Sequence, residues 1–498
     1  MTDKSEKLNG YTIVVEDVRA GKKDISALKP IINEIEGWIN EGVLNLFDRL
    51  LGYFVLSHSY GTIRYITKSP EKAYYNEKLA WKEVYCYRST LNLINEVYKR
   101  GIVSLYYIAT EMHYQSLIHL ANVYDHYGRF QEAQSLWQQA GRLKPHDYMW
   151  QFNIGFSLAN TYAYYEKRAE PFVLSYAKAL LLPCLEKPDT IVSATVAYDR
   201  IKELETPEIS MDKEVKFANS EEGRYNQWVN YNMLRLNAFN DITPCSILSQ
   251  EDSLYFTGIL SFKDNLDFGP RMFSLLNEIK QEFVSARYML YQYIIYSGTI
   301  HFSDKKVFLA DNSDGTNYSY NIEMAKSSFR ALYSLLDKIA YSINEYLSLG
   351  IKGSRVAFKD FWYSDKQKHT LKPEITRWDS NYSLAGLLFI RNDIYGGDEH
   401  YLQDEKTIRL KAVRNAMEHR SMIITEDGEF DDRGLVLKIS RIDFEETAMS
   451  LIRTVRQAIF CFVNMVNHIE YDKKESTKVL KHVVIPKEVP VVSDNDKV

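Results

Sequence analysis

The stretch QDEKTIRLKAVRNAMEHRS, residues 403–421, has the pattern of an amphipathic helix. Its apolar side chains recur at helical spacing and predict one buried stripe, formed by Ile408, Ala412, Ala416 and Met417. The remaining positions carry five Lys or Arg against three Asp or Glu, although the whole chain has a formal net charge of −5. A solvated helix face is the ordinary explanation of such a charge run, so charge alone assigns no function.

Three polar side chains of this helix, Arg414, Asn415 and His419, form the pattern RNxxxH. Asn415 and His419 are four residues apart and therefore neighbours on one helical face, and the long Arg414 side chain can reach the same place. Cleavage of RNA without a metal requires a base for the 2′-hydroxyl, charge stabilisation on the phosphate and an acid for the leaving oxygen. A histidine can supply or accept the proton, and a guanidinium can bind two phosphate oxygens at once.

The RNxxxH motif on a late helix of a helical region resembles the signature of the HEPN superfamily (higher eukaryotes and prokaryotes nucleotide-binding). Together with the N-terminal repeats described below, the chain resembles a bacterial branch of that superfamily. The resemblance implies a metal-independent endoribonuclease used in defence or as a stress toxin, with Arg414 and His419 carrying the chemistry and Asn415 supporting them. A single histidine serves poorly as both acid and base, so a two-fold homodimer that joins two such helices is expected.

The other basic residues of the helix are predicted RNA contacts: Lys406, Arg409, Lys411 and Arg420. Two alternatives stay open. Arg414 and His419 could merely bridge to Glu418 or cap the helix. The chain could also be a non-catalytic RNA-binding, nucleotide-binding or protein-interaction adaptor, because an RNA footprint usually needs several phosphate contacts beyond one helix.

The sequence around this helix predicts an all-α fold. The chain has only 22 Gly and 12 Pro in 498 residues, and its long apolar periodicities favour helices. One helix is predicted from residue 227 to about Asn240, and the others at 271–297, 322–349, 381–392 and 444–470. A small β-hairpin closed by the turn Asp431–Gly434 is predicted between the helix at 403–421 and the helix at 444–470. The HEPN-like domain is predicted to span 225–472.

The N-terminal half contains LIHLANVYDHYGRFQEAQSLWQQAGRLKP, residues 117–145, which matches the helix–turn–helix unit of a tetratricopeptide repeat. Gly128 is expected to end the first helix with a positive φ, and Pro145 to stop the second. Gly155 falls one 34-residue period after Ala121, so residues 29–187 are predicted to form a TPR-like stack of helical hairpins. Such a stack either offers a groove to a protein or ligand partner or serves only as a scaffold.

The remaining segments are predicted from composition. Residues 1–28 are expected to be a flexible lead-in with one β-like run at Tyr11–Val15, 188–224 a connector with a short helix at 192–204, and 473–498 a mobile tail. No signal peptide is recognisable, and no run approaches the ~18–20 apolar residues of a membrane span. The expectation is a cytoplasmic protein without membrane contact.

No metal or cofactor site is predicted. The four cysteines lie far apart, which argues against a zinc site built on CxxC pairs and fits a reducing compartment. Asp398, Glu399 and His400 have suitable donor atoms, but adjacent residues in a loop seldom converge on one ion, and a solvated loop is the preferred interpretation.

Overall fold

The computed structural model describes residues 3–67, 78–161, 170–206, 215–243, 246–260, 267–295, 300–309, 316, 318–365, 370–395, 405–426, 430–432, 434–476 and 483–484. These residues are mostly helical and contain three small two-stranded sheets, which confirms the predicted all-α class. They divide into two compact units, one formed mainly by Met1–Asn160 and Tyr176–Leu204, the other mainly by Glu205–Tyr395 and Ile408–Val498. The predicted domain boundaries at 187, 224 and 472 stay predictions.

The helices up to residue 204 follow one another with short connections. They are α1 (Asp3–Arg19), α2 (Leu28–Asn40), α3 (Leu46–Thr67), α4 (Lys78–Lys99), α5 (Tyr106–His126), α6 (Phe130–Leu143), α7 (Met149–Thr161), α8 (Glu170–Leu181) and α9 (Ile191–Ile201). Among the described residues, α3 packs against α4, α4 against α5 and α5 against α6. Sequential packing of this kind buries a continuous core between neighbouring helices.

The N-terminal segment differs from the prediction, because it is the helix α1 and not a loose lead-in with an extended run at Tyr11–Val15. Leu8, Val15 and Val18 are buried in a core shared with α2 and α3. Their separations of seven and three residues place them on one helical face. The prediction of a β-like run was wrong because the five residues 11–15 are too few to show the helical spacing of the buried positions.

The helix pair α5–α6 has the local features expected of the repeat at 117–145. Ala121 and Ala133 are fully buried, and Gly128 between the helices has a φ of 73°. Gly155 lies against the end of α8, where a Cβ would come within 2.9 Å of the Leu181 side chain. These features agree with a stack of helical hairpins, while the assignment to tetratricopeptide repeats stays a prediction.

The second half of the chain contains longer helices. They are α10 (Glu221–Tyr231), α11 (Phe239–Ile242), α12 (Phe268–Ile294), α13 (Tyr320–Leu347), α14 (Pro373–Thr376), α15 (Tyr382–Tyr395), α16 (Glu405–His419) and α17 (Arg441–Ser476). The strands are β1 (Ile259–Leu260), β2 (Tyr363–Asp365), β3 (Thr370–Leu371), β4 (Ser421–Thr425), β5 (Val436–Ser440) and β6 (Val483–Val484). β1 pairs with β6 and β2 with β3, both antiparallel.

Helix α17 is the core of this half and packs against α12, α13 and α15. By length and composition it could cross a membrane, with a mean hydropathy of 1.2, but 78% of its most apolar window is buried inside the protein. Burial of this extent is typical of a core helix. Two nitrogens of its Arg456 bind both carboxylate oxygens of the buried Asp241, at 2.8 and 2.6 Å.

The predicted helix at 227–240 is divided in two in the structure. α10 ends at Tyr231, Met233 has a φ of 57°, and α11 begins at Phe239. The side chain of Asn240 accepts a hydrogen bond from the backbone of Arg235, at 2.9 Å, which stabilises the turn between the two helices. Such a side-chain bond offers the backbone an alternative to the helical ladder.

The two strands after α16 lie where the hairpin was predicted, but β4 and β5 pair in parallel. Asp431 and Lys438 also exchange two backbone hydrogen bonds of 3.0 Å in an antiparallel bridge, while the predicted turn at 431–434 includes Arg433, which lies outside the described residues. Lys438 therefore lies in β5, opposite Ile423 of β4, and is also bridged to Asp431. A sequence pattern of period two predicts strands without giving their relative direction.

Candidate active site

Helix α16 carries the RNxxxH motif, and its buried face differs slightly from the predicted stripe. Leu410, Ala412, Val413 and Ala416 are buried, whereas Ile408 is 50% exposed. The helix ends at His419, and β4 begins only two residues later. The motif therefore occupies the last two turns of α16, beside the strand pair that leads into α17.

The guanidinium of Arg414 is held by neighbours on its own helix and on α13. Its Nη2 lies 2.7 Å from Oε2 of Glu418, and its Nη1 donates to Oδ1 of Asn415 at 3.0 Å. The group lies over the ring of Tyr333, 5.2 Å from the ring centre. Its Nε is buried and has no hydrogen-bond partner among the described residues. Arg414 is thus held in position by Glu418, Asn415 and Tyr333.

Three groups behind Arg414 were not identified from the sequence: Tyr333 and Asp337 on α13 and Tyr395 on α15. Burial raises the pKa of Tyr333 to about 12 and also raises the pKa of Tyr395, so both phenols stay neutral. Burial raises the pKa of Asp337, while its bond from the backbone N–H of Phe358 and the charge of Arg414 act in the opposite direction.

The spacing of Tyr333 and Asp337, four residues apart, places them on one face of α13. The spacing in the sequence predicts that these two residues share a face of α13, but it does not predict that this face packs against α16. Only the packing of the two helices reveals Tyr333 as a platform for Arg414.

His419 is the most open member of the predicted set, with 68% of its side chain exposed. Its Nε2 lies 3.6 Å from Oε2 of Glu418, the same oxygen that binds Arg414. Asn415 is half-buried and contacts Arg414 directly. The three predicted catalytic side chains therefore form one cluster linked through Glu418, with the imidazole at its solvent side.

The predicted RNA contacts fall into two groups. Lys406 is exposed and Lys411 is half-buried. Arg409 is only 14% exposed and binds Asp443, at the start of α17, through a contact of 2.7 Å. This ion pair links α16 to α17, and it leaves fewer N–H groups of Arg409 available to bind a phosphate.

Arg420 is also engaged within the protein. Its guanidinium binds the carboxylate of Asp432 and the backbone oxygen of Gly434, the latter at 3.3 Å. It stays 30% exposed, so one side of the group faces solvent. The assignment of all four basic residues to RNA stays a prediction.

No group of three or more His, Cys, Asp or Glu side chains with metal-binding geometry occurs among the described residues. Asp398, Glu399 and His400, the loop considered for a metal, lie outside them, as does Cys245. Cys86, Cys184 and Cys461 are buried and take part in no disulfide bond among the described residues.

Comparison with known proteins gives one result for this region. Residues 264–469 match the family model described as LA2681-like HEPN, a span that includes α12, α13 and the whole of α16. This match confirms the resemblance drawn from the RNxxxH motif. No curated protein and no solved structure gave a significant match.

Proposed function

Starting from the HEPN domain at residues 264–469, we propose that this protein is a metal-independent endoribonuclease whose active site is the Arg414–Asn415–His419 cluster. A HEPN domain indicates a nuclease or another RNA-related function in general. The observation that carries the finer proposal is the cluster itself. A fixed guanidinium, whose side chain is 31% exposed, lies at the same helix end as an exposed imidazole.

The proposed reaction transfers the phosphoryl group to the ribose. The 2′-oxygen forms a bond to phosphorus and gives its proton to a base, while the bond to the 5′-oxygen breaks and that oxygen takes a proton from an acid. The products are a 2′,3′-cyclic phosphate and a 5′-hydroxyl. No redox step and no metal enter this balance.

Each side chain has a role that suits its place in the cluster. The exposed imidazole of His419 is accessible to exchange protons with the 2′-hydroxyl. Arg414 would stabilise the phosphate oxygens as their negative charge grows, with the Nη atoms as donors. Asn415 holds one Nη of Arg414 and so orients the guanidinium.

A complete acid–base pair calls for a second histidine, so we propose that the active form is a homodimer in which the two copies of α16 face each other. The RNA would lie along Lys406 and Lys411, with the outer side of Arg420 and any released Arg409 adding contacts. The protein would act in the cytoplasm as a bacterial defence or stress effector. The TPR-like region would regulate it by binding a protein or ligand partner.

The first experiment compares wild type with Arg414→Ala and His419→Ala on total RNA in EDTA. Arg142→Ala and His146→Ala, which change exposed residues of the same types far along the chain, are the matched controls. We expect wild type and controls to cut RNA and leave 2′,3′-cyclic phosphate ends, and both site variants to lose the activity. Cleavage by a site variant at the wild-type rate would overturn the assignment.

A second candidate function is a non-catalytic adaptor in which the repeats bind a partner and the HEPN domain binds RNA or dimerises. One observation favours it: three arginines of α16 and its end form ion pairs within the protein, which leaves fewer charges for an RNA substrate. Arg414 pairs with Glu418, Arg409 with Asp443 and Arg420 with Asp432. RNA binding without cleavage by wild type, in EDTA and in added metal alike, would support this function over the first.

A further inference from the structure

The N-terminal unit contains a cavity of about 280 Å³ bordered by α1, α3 and α5, and every residue that lines it belongs to the described part of the chain. This volume is close to the lower end of the range for small-molecule sites. Phe54 and Val55 provide an apolar wall, and the polar groups used below are Glu16, Arg19, His58 and His119.

Two imidazoles lie side by side at this cavity. The ring centres of His58 and His119 are 4.9 Å apart, and Phe54 approaches His58 at 4.4 Å. Burial, followed by the charges of His119 and Arg19, keeps the pKa of His58 well below its usual value. Burial and the charge of Arg19 lower the pKa of His119 to about 4. Both rings are therefore neutral near pH 7.

One atom of this pair lacks a partner. Nε2 of His58 is buried and has no hydrogen bond among the described residues. An unsatisfied buried polar atom costs about 1–3 kcal/mol, so native proteins usually provide a partner for it. His58 lines the cavity, so a ligand that enters it would supply such a partner.

The charges around the cavity favour an anion at the imidazoles. Arg19 is exposed, forms no ion pair with any described residue, and lowers the pKa of both imidazoles, so its positive charge acts on them directly. Glu16 also lines the cavity but is not among the charges that shift either imidazole.

We propose that this cavity binds a small organic anion. Its carboxylate or phosphate would contact Arg19 and accept a hydrogen bond from His58, in the tautomer that carries the proton on Nε2. Its apolar part would lie against Phe54 and Val55. The site is separate from the RNxxxH cluster, and its existence does not depend on ribonuclease activity.

Isothermal titration of the full-length chain with three probes of one shape tests the proposal. Benzoate carries a carboxylate, phenyl phosphate carries a phosphate, and benzamide is a neutral control. We expect at least one anion to bind and benzamide to bind at least about tenfold more weakly, because a hydrogen bond to a charged group is worth more than a neutral one. The anion that binds with the higher affinity shows whether the site prefers a carboxylate or a phosphate.

Variants then locate the binding. Arg19→Gln should weaken the anion at least about tenfold, whereas Lys22→Gln removes a neighbouring exposed charge outside the cavity and should have no effect. His58→Phe keeps an aromatic ring without the nitrogen and should also weaken binding; if it does not fold, Arg19→Gln decides. No binding of either anion at up to roughly 10 mM, equal binding of benzamide, or equal losses in the Arg19 and Lys22 variants would each overturn the proposal.

Discussion

Replacing Tyr333 removes the platform under Arg414 without touching the RNxxxH motif. The guanidinium carbon lies 5.2 Å from the ring centre, and the arginine side chain is 31% exposed, so this cation–π contact is partly desolvated. Contacts of this kind are worth about 0.5–1 kcal/mol when exposed and about 2 kcal/mol when desolvated. If Arg414 stabilises the transition state from this position, Tyr333→Leu should lower kcat/KM for RNA cleavage by roughly 2- to 30-fold.

The assay is cleavage of a quenched fluorescent RNA in EDTA, with the melting temperature measured beside it. Tyr333→Phe is the matched control, because it keeps the ring and loses only the hydroxyl, which bonds to Tyr395. We expect Tyr333→Phe to stay near wild type. Folded Tyr333→Leu protein that cleaves as fast as Tyr333→Phe would refute the view that the ring positions Arg414.

Three further predictions concern the charged side chains. Glu418→Gln removes a partly exposed 2.7 Å pair with Arg414, so less than about 1 kcal/mol is released. RNA affinity, measured by anisotropy on a 2′-deoxy substrate, should rise up to about fivefold, and a loss of affinity would instead make Glu418 a positioning group. Asp241→Ala leaves Arg456 buried without its partner and should lower the free energy of unfolding by about 3–5 kcal/mol in denaturant titrations; a loss below that range would mean that water reaches Arg456. Burial raises the pKa of Asp125 to about 7, so the folded state binds a proton that the unfolded state releases, and stability should fall between about pH 4 and pH 7 by roughly 1–3 kcal/mol; Asp125→Asn should flatten that slope, and an unchanged slope would contradict the shift.

The long helices in the second half of the chain could be predicted because each has a strong apolar period and recognisable ends. The predicted ranges 322–349 and 381–392 correspond to Tyr320–Leu347 and Tyr382–Tyr395 in the structure. The short elements were harder to predict. The break near Met233 depends on a side-chain bond from Asn240, and the direction of β4 against β5 depends on tertiary packing.

In the candidate site, too, the features set by one helix could be predicted and those set by packing between helices could not. The spacing of Arg414, Asn415 and His419 could be interpreted from one helix, and the structure gathers them at its end. Tyr333 and Tyr395 come from other helices, so no local pattern could connect them with Arg414. Counting charges could not show that Arg409 and Arg420 each bind a carboxylate nearby in the fold.

The parallel pairing of β4 with β5 also has a mechanical consequence. β4 starts two residues after His419, β5 ends one residue before α17, and the two strands match along five Cα pairs. A slip by one residue would turn every side chain of a strand to its opposite face, so small sliding movements are disfavoured. The strand pair therefore fixes the end of α16, where His419 lies, in one register relative to α17 unless the ladder itself opens.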